Sequence, residues 1–466
     1  MRSARLVRGA VLAWMVVAGA STTWAAVRLP AVIGDNMVLQ RGRAVPIWGW
    51  ADPGEQVTVT LARRTAVTKA ADDGRWKVAF KELPPRQPLE MTVQGSSGST
   101  LTLKNILVGE VWVASGQSNM ELPVKVAKEA KREIAAADYP NIRLFTVVKK
   151  KAAEPQTDCK GKWVECGPKT VGDFSAVAYY FGRQLYRDLN VPIGLIHTSW
   201  GGTPAEFWTS RRALEADPAL KSLARGENSC LYNGMIAPLI PYAIRGAIWY
   251  QGESNVGRAY QYRELFPAMI ANWRRDWGQG DFPFGFVQLA PYRYGKIDPA
   301  RWAELCEAQR MTLDRVPNTG MAVTVDIGNV QDIHPKNKQE VGRRLALWAL
   351  AKVYGRKLIY SGPLYKSMAV EGDKVRLDFE HVGSGLTASD GKPLSEFTIA
   401  GRDGKFVHAT AQIEGDSIVV HSGAVPQPVA VRFAWRDNAQ PNLANKEGLP
   451  ASPFRTDAWK RATQPK

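Results

Sequence analysis

Apolar and polar residues alternate near the start of the chain and again near its end, whereas between those regions apolar residues cluster in blocks. In "AVPIWGWADPGEQVTVTLA" apolar positions are interleaved with polar or small ones, most regularly in "QVTVTL", and a Pro-Gly pair at 53–54 breaks the run. "RWKVAFKELP" and "LEMTVQG" repeat the alternation. A period of two puts successive side chains on opposite faces of a strand, so these segments read as half-buried strands joined by turns. Residues 26–106 are therefore expected to form an N-terminal, sandwich-like β domain. The same period returns in "KVRLDFEHV", "SIVVHSG" and "PVAVRFAW", which marks 356–466 as a C-terminal β region of similar kind.

The segment 107–355 reads differently. "ILVGEVWVA", "VPIGLIHTSW", "IRGAIWYQGESN", "FPFGFVQLAPY" and "GMAVTVDIG" are short continuous apolar runs, the signature of strands buried on both faces. Helical spacing appears in "FSAVAYYFGRQLYRDLN", with Phe174, Val177, Phe181 and Leu185 on one face. It recurs in "YQYRELFPAMIANWRRDWG" and in "NKQEVGRRLALWALAKVYG", where Val341, Leu345 and Trp348 align. Strands alternating with helices predict an α/β domain of three layers, a mostly parallel sheet covered on both faces by helices.

Composition narrows this further. A chain of 466 residues exceeds one ordinary core, so two or three domains are expected. The formal charge of +17 invites a nucleic-acid reading. The basic residues are scattered, however, with one short run at Lys149–Lys151 and no nucleic-acid-reading motif, so the charge reads as solvated surface and no nucleic-acid partner is expected. Residues 1–25 read as a secretory signal. Arg2, Arg5 and Arg8 precede an apolar run from Gly9 to Ala20, and Thr23-Trp24-Ala25 resembles a cleavage site. An exported protein, periplasmic or secreted, is expected. No later run reaches the roughly 18 apolar residues of a membrane helix, so the mature form is expected to involve no membrane. The four cysteines fit no zinc spacing, but Cys159 and Cys166 are near enough in sequence to bridge in an oxidising compartment. No metal and no organic cofactor is expected, and the oligomeric state is left open.

Ligands of open parallel sheets bind beyond the carboxyl ends of the strands. Polar clusters follow four of the apolar runs: Gly116-Gln117-Ser118-Asn119, Ser199-Trp200-Gly201-Gly202-Thr203, Tyr250-Gln251-Gly252-Glu253-Ser254-Asn255, and "DIGNVQDIHP". Together they outline a hydrolase. A serine hydroxyl is a weak nucleophile that needs a base and a group to orient the base. Ser118 is the candidate nucleophile and His334, in a loop entering a helix, the candidate base. His197 lies inside an apolar run and reads as a core residue; His381, His408 and His421 fall in the C-terminal β region. Candidate oxyanion donors are the backbone N–H of Ser118, those of Gly201 or Gly202, and the side-chain amide of Gln251, with Asn255 as the alternative. Trp200, Phe207, Trp208 and Tyr250 lie near these clusters and are candidates either for stacking on a sugar or for core packing.

"VWVASGQSNMELP", "SWGGTPAEFW", "WYQGESN" and "DIHPKNKQEVGRRLAL" resemble the sialate O-acetylesterase family of SGNH-type hydrolases. "DNMVLQRGRAVPIWGWADPGEQVTV" and "VRFAWRDNAQPNLANKEGLPASPFRTD" extend the resemblance over nearly all of the chain beyond its leader. The resemblance implies a central SGNH-like domain, Ser118 as nucleophile, His334 as base, a glycine of "SWGG" and Gln251 as oxyanion donors, an O-acetylated sugar as substrate, and no cofactor. The usual pattern places an aspartate three residues before the histidine. Here that position is Gln331, and Asp332 stands two before. Asp332 is therefore the expected orienting acid, Asp326 the alternative, and Asp332 also suits a cap for the following helix. A carboxylate partner would raise the imidazole, placing loss of activity between about pH 6 and 7.5. An acetylxylan or other polysaccharide esterase uses the same residues, and a carbohydrate-binding protein on a hydrolase frame is the non-enzymatic alternative.

Overall fold

The computed structural model describes residues 26–465, apart from 82, 84–87 and 296–297. The leader read into residues 1–25 lies outside the described residues. The axis of the molecule is one strand of 17 residues, Thr100–Gly116. Its first part pairs antiparallel with Leu89–Gly95 of the N-terminal β domain. Its second part pairs parallel with Ile193–Ser199 on one side and Gly246–Tyr250 on the other. Exposed and half-buried residues alternate from Thr100 to Asn105, and every residue from Ile106 to Gly116 is buried. The change of pattern between residues 106 and 107, which reads as a domain boundary, is thus one strand passing between two environments.

The central sheet runs, in spatial order, Thr319–Ala322, Phe284–Val287, Gly246–Tyr250, Thr100–Gly116, Ile193–Ser199, Tyr139–Thr146, Trp163–Cys166. The last strand is antiparallel to its neighbour and the others are parallel. The chain fills one flank of the long strand first and then crosses to the other. That places a topological switch point at the carboxyl end of Thr100–Gly116, where such sheets bind ligands.

Alternation along the strands sorts the two faces. Trp112, Ala114, Ile248 and Tyr250 face the helices Ala176–Leu189 and Lys338–Lys352. Trp112 meets Phe181 and Trp348 edge-on. Val111, Val113, Ala247 and Trp249 face the helices Ala259–Trp277 and Ala300–Arg315. Trp249 sits among Trp208, Phe266 and Trp273, so much of the tryptophan is core. The three-layer reading holds. The helix Ala300–Arg315 was not expected, because polar Glu304, Gln309 and Thr312 interrupt its apolar face. All three are buried and bonded: Gln309 donates to the carbonyls of Gln251 and Val287 and accepts from the N–H of Leu289. The strands Tyr139–Thr146 and Trp163–Cys166 were likewise not anticipated.

The C-terminal region has its own core, with Val375, Leu377, Ile399, Ile418 and Phe433 fully buried, and two four-stranded sheets. It is tied to the central domain by Ser452 with Gln288 at 2.8 Å and by Arg455 with Glu307 at 2.9 Å. The Cys159–Cys166 bridge that the spacing left open is not formed. Cys159 packs into the core on one face of the sheet and Cys166 into the core on the other, and all four thiols are free and buried. Burial pushes both thiols up to about 12. Among the described residues no helix is long and apolar enough to cross a membrane.

One buried carboxylate joins the N-terminal domain to the sheet. Glu110, with no exposed surface, accepts from Gln40 at 3.0 Å, from Arg245 at 2.6 and 3.1 Å, and from Arg41. Burial alone would raise this carboxyl, but Arg245, Arg41 and Gln40 hold it below the ordinary carboxylate range. Removing one partner of a buried ion pair leaves uncompensated charge. Glu110→Ala is expected to lower unfolding stability by about 3 kcal/mol, the lower end of the range for buried pairs because the arginines are partly exposed. Chemical denaturation measures it, and a loss under about 1 kcal/mol would show the network to be dispensable.

Candidate active site

The end of the long strand is held by backbone proximity. Gly116 adopts φ of +136°, and a Cβ there would lie 2.2 Å from the Tyr250 carbonyl oxygen, so no other residue fits. Gln117 donates its N–H to that carbonyl at 3.0 Å. Its side-chain oxygen accepts from the N–H groups of Gly252 and Ser254 at 3.4 and 3.3 Å. Ser118 then opens a short helix, Ser118–Glu121, and is half-buried between buried Gln117 and Asn119.

His334 comes from the far end of the domain. It lies in the loop between the strand Thr319–Ala322 and the helix Lys338–Lys352, whose N-cap Asn337 accepts from the N–H of Glu340 at 3.3 Å. Its Nε2 stands 2.8 Å from Ser118 Oγ. The two residues read as nucleophile and base are 216 positions apart in sequence and in hydrogen-bond contact in space.

The third member differs from expectation. Asp332 Oδ1 is 3.8 Å from His334 Nδ1, beyond hydrogen-bond reach, and accepts instead from the backbone N–H of His334 at 2.9 Å. Asp332 shapes the loop and acts on the imidazole by charge. The alternative, Asp326, directs both carboxylate oxygens to Arg344, each at 2.6 Å. Gln331 is exposed. The imidazole is accordingly shifted down: burial and the Lys338 cation lower it, and Asp332 offsets only part of this. The sequence-based expectation of a raised value is corrected.

The oxyanion candidates divide. The Ser118 N–H occupies the first position of its helix, where amides have no partner within the helix. Gly201 lies against the nucleophile, so that an added Cβ would be 3.2 Å from Ser118 Cβ. Its N–H donates to Glu121 Oε2 at 2.6 Å, and Glu121 also pairs with Lys149. Gly202 is exposed. Gln251 is fully buried and structural here. Its amide donates to Asn255 at 2.6 Å and to the Thr203 carbonyl at 3.3 Å, and its oxygen accepts from Tyr262. Asn255 in turn accepts from the Ala205 N–H and donates to Glu206, both at 3.0 Å. The two amides therefore hold the loop after "SWGG" in shape.

His197 is buried beside Ser199, and burial pushes it down to about 4, as suits a neutral core residue. Trp208 and Tyr250 are core. Trp200 and Phe207 are half-buried, with Lys149 Nζ 5.4 Å and Lys151 Nζ 5.8 Å from their ring centres. Sequence reasoning missed Asn119, Glu253 and Lys338, which stand inside three of the quoted motifs and meet beneath Ser118 and His334. Among the described residues no group of three or more His, Cys, Asp or Glu is arranged for a metal ion.

Comparison with known proteins bears on this geometry. The model of the family described as "Carbohydrate esterase, sialic acid-specific acetylesterase" matches residues 108–351. The sialate O-acetylesterase of Homo sapiens is 32% identical, over 92% of both chains. The chain belongs to this family. The sialate O-acetylesterase of Rattus norvegicus is 34% identical, over 73% of this chain and 76% of its own. The crystal structure of a carbohydrate acetylesterase from Xanthomonas citri superposes with a TM-score of 0.88 and 41% identity, over 93% of this chain and all of that one. The family assignment makes the chain a carbohydrate O-acetylesterase.

The lowered imidazole of this acetylesterase has a measurable consequence. For a histidine acting as base, activity would be lost as pH falls through its pKa, and a lowered value would keep the enzyme active further into acid. The acid limb of kcat/KM is expected below the ordinary imidazole value of about 6.5. A pH–rate profile in acetate and phosphate buffers gives the midpoint. A limb centred above about 7 would mean that a carboxylate dominates the imidazole after all.

Proposed function

We propose that this enzyme removes O-acetyl groups from sugars through an acetyl-enzyme on Ser118. The contact of 2.8 Å between Ser118 Oγ and His334 Nε2 carries the reading. His334 takes the hydroxyl proton as Oγ attacks the acetyl carbonyl carbon. The tetrahedral intermediate collapses by breaking the bond between the carbonyl carbon and the sugar oxygen, and His334 returns the proton to that oxygen. Water, deprotonated by His334, then attacks the acetyl-enzyme and acetate leaves with Ser118 restored. The Ser118 N–H supports the developing oxyanion, and the Gly201 N–H joins it once Glu121 turns away. Asp332 assists by charge, so the mechanism is closer to a Ser-His pair than to a full triad. This intact pair argues against a carbohydrate-binding protein on a disabled frame.

O-acetyl sialic acid is the first substrate proposed, supported by the family description and by the sialate O-acetylesterases that the chain resembles. A second reading is an esterase of plant or microbial polysaccharide such as acetylxylan, with which the Xanthomonas citri relative, named only as a carbohydrate acetylesterase, is equally compatible. Export to the periplasm or beyond is part of the proposal and rests on the basic, apolar and small-residue segments of residues 1–25.

Ser118→Ala is expected to lower acetyl-ester turnover by more than about a thousandfold with the fold retained, and addition of His334→Ala to cost little more, since such groups act as a unit. A loss under about tenfold would remove Ser118 as nucleophile. The close approach of Gly201 to Ser118 leaves little room at the acyl carbon. In a p-nitrophenyl ester series acetate should exceed butyrate by at least about tenfold, and equal rates would refute the small pocket. Acetate release from acetylated sialic acid, xylan, xyloglucan and pectin decides between the two sugar readings.

A further inference from the structure

Beneath the Ser118–His334 pair lies a buried polar cluster. Asn119, next to Ser118, is 2% exposed. Its side-chain nitrogen donates to Glu253 Oε1 at 2.6 Å and to the backbone carbonyl of Ile333 at 2.9 Å. Its side-chain oxygen accepts from Lys338 Nζ at 2.6 Å. Ile333 directly precedes His334. Lys338 begins the helix after the His334 loop, and Glu253 follows the neighbouring strand Gly246–Tyr250. One side chain thus spans the nucleophile's helix, the base's loop, the base's helix and the adjoining strand end.

We infer that Asn119, Lys338 and Glu253 are positioning residues that set the distance between Ser118 and His334. The inference rests on Ser118 and His334 acting as nucleophile and base. Three observations carry it. A lysine with no exposed surface is costly unless something requires it, and this one is held by Asn119 and by the face of Tyr250, 4.9 Å from its Nζ. Glu253 is also buried, and its second oxygen has no partner among the described residues, so the cluster is not organised for stability alone. The tether to Ile333 fixes the backbone that carries the imidazole.

The charged groups that act on Lys338 are Glu253 and Asp332; those that act on His334 are Asp332 and Lys338. Burial pushes Lys338 down to about 7 and raises Glu253. Removing the Lys338 cation therefore removes one of the influences that lower the imidazole.

Lys338→Met removes the cation and the donor to Asn119 with little change of volume. Displacing a reacting group by a fraction of an ångström to one ångström costs up to about a hundredfold. The expected result is kcat lowered by about 10- to 100-fold with KM within about threefold, and the acid limb of kcat/KM moved to higher pH. Glu253→Gln, which keeps the acceptor for Asn119, should retain kcat within about fivefold of wild type. Should Lys338→Met fold poorly, the Lys338→Met, Glu253→Gln double variant removes both buried charges together and still breaks the Lys338 bond to Asn119, so the same two changes are expected of it. A folded Lys338→Met or double variant with wild-type kcat and an unmoved limb overturns the inference. Ser118→Ala measured alongside separates the two readings: if it is inactive while those variants are unchanged, the positioning role alone fails, and if it stays active, both fail.

Discussion

Every backbone donor and acceptor of a strand buried on both sides must find a partner, and for Thr100–Gly116 this condition organises the molecule. Its register with Ile193–Ser199 and Gly246–Tyr250 brings Ser199 and Tyr250 level with Gly116. The three strand ends therefore finish together, and the polar clusters that follow them meet. Gly116 permits this because Tyr250 leaves no room for a side chain. Ser118, two residues on, emerges at the switch point of the sheet with its position set by the ladder and not by its own loop.

Much of this was legible before any coordinates. Continuous apolar runs marked the buried strands because parallel strands covered on both faces need no polar side. Spacing in "FSAVAYYFGRQLYRDLN" and "NKQEVGRRLALWALAKVYG" located the helices Ala176–Leu189 and Lys338–Lys352. The helix Ala300–Arg315 was hidden because it buries Glu304 and Gln309 to satisfy loop amides and carbonyls, which erases the apolar stripe. That Ser118 and His334 would meet could be anticipated, because few residue types can serve as nucleophile and base. The roles of Gln251 and Asn255 were not, since an amide that lines a site and one that braces a loop look alike in sequence. Nor could spacing tell that Asp326 would be taken by Arg344, because that partner comes from a helix 18 residues later.

The electrostatics of the site follow from partial burial. In a full triad a hydrogen-bonded carboxylate favours the imidazolium and raises the base. Here the carboxylate is 3.8 Å from the ring, and burial acts the other way, reinforced by the cation of Lys338. The surroundings thus favour the neutral imidazole, the form that the proposed base needs. In the proposed mechanism the imidazolium formed during attack would gain little from Asp332, which leaves more of the barrier to the oxyanion donors and to the geometry of attack.

Glu121 bears directly on that requirement. Its carboxylate already occupies the Gly201 N–H, a group that an acyl oxyanion would use, and two anions cannot share one donor at close range. Glu121 is also paired with Lys149, whose ammonium lies over Trp200 at the edge of the site. A swing of Glu121 away from Gly201 can keep the ion pair, because Lys149 is a flexible, partly exposed chain that can follow it. The Gly201 amide, the Glu121 carboxylate that accepts from it and the Lys149 ammonium over Trp200 are thus joined in one chain of contacts. In the mechanism proposed above, freeing that amide would draw on the ion pair as well, so the two are coupled through one carboxylate.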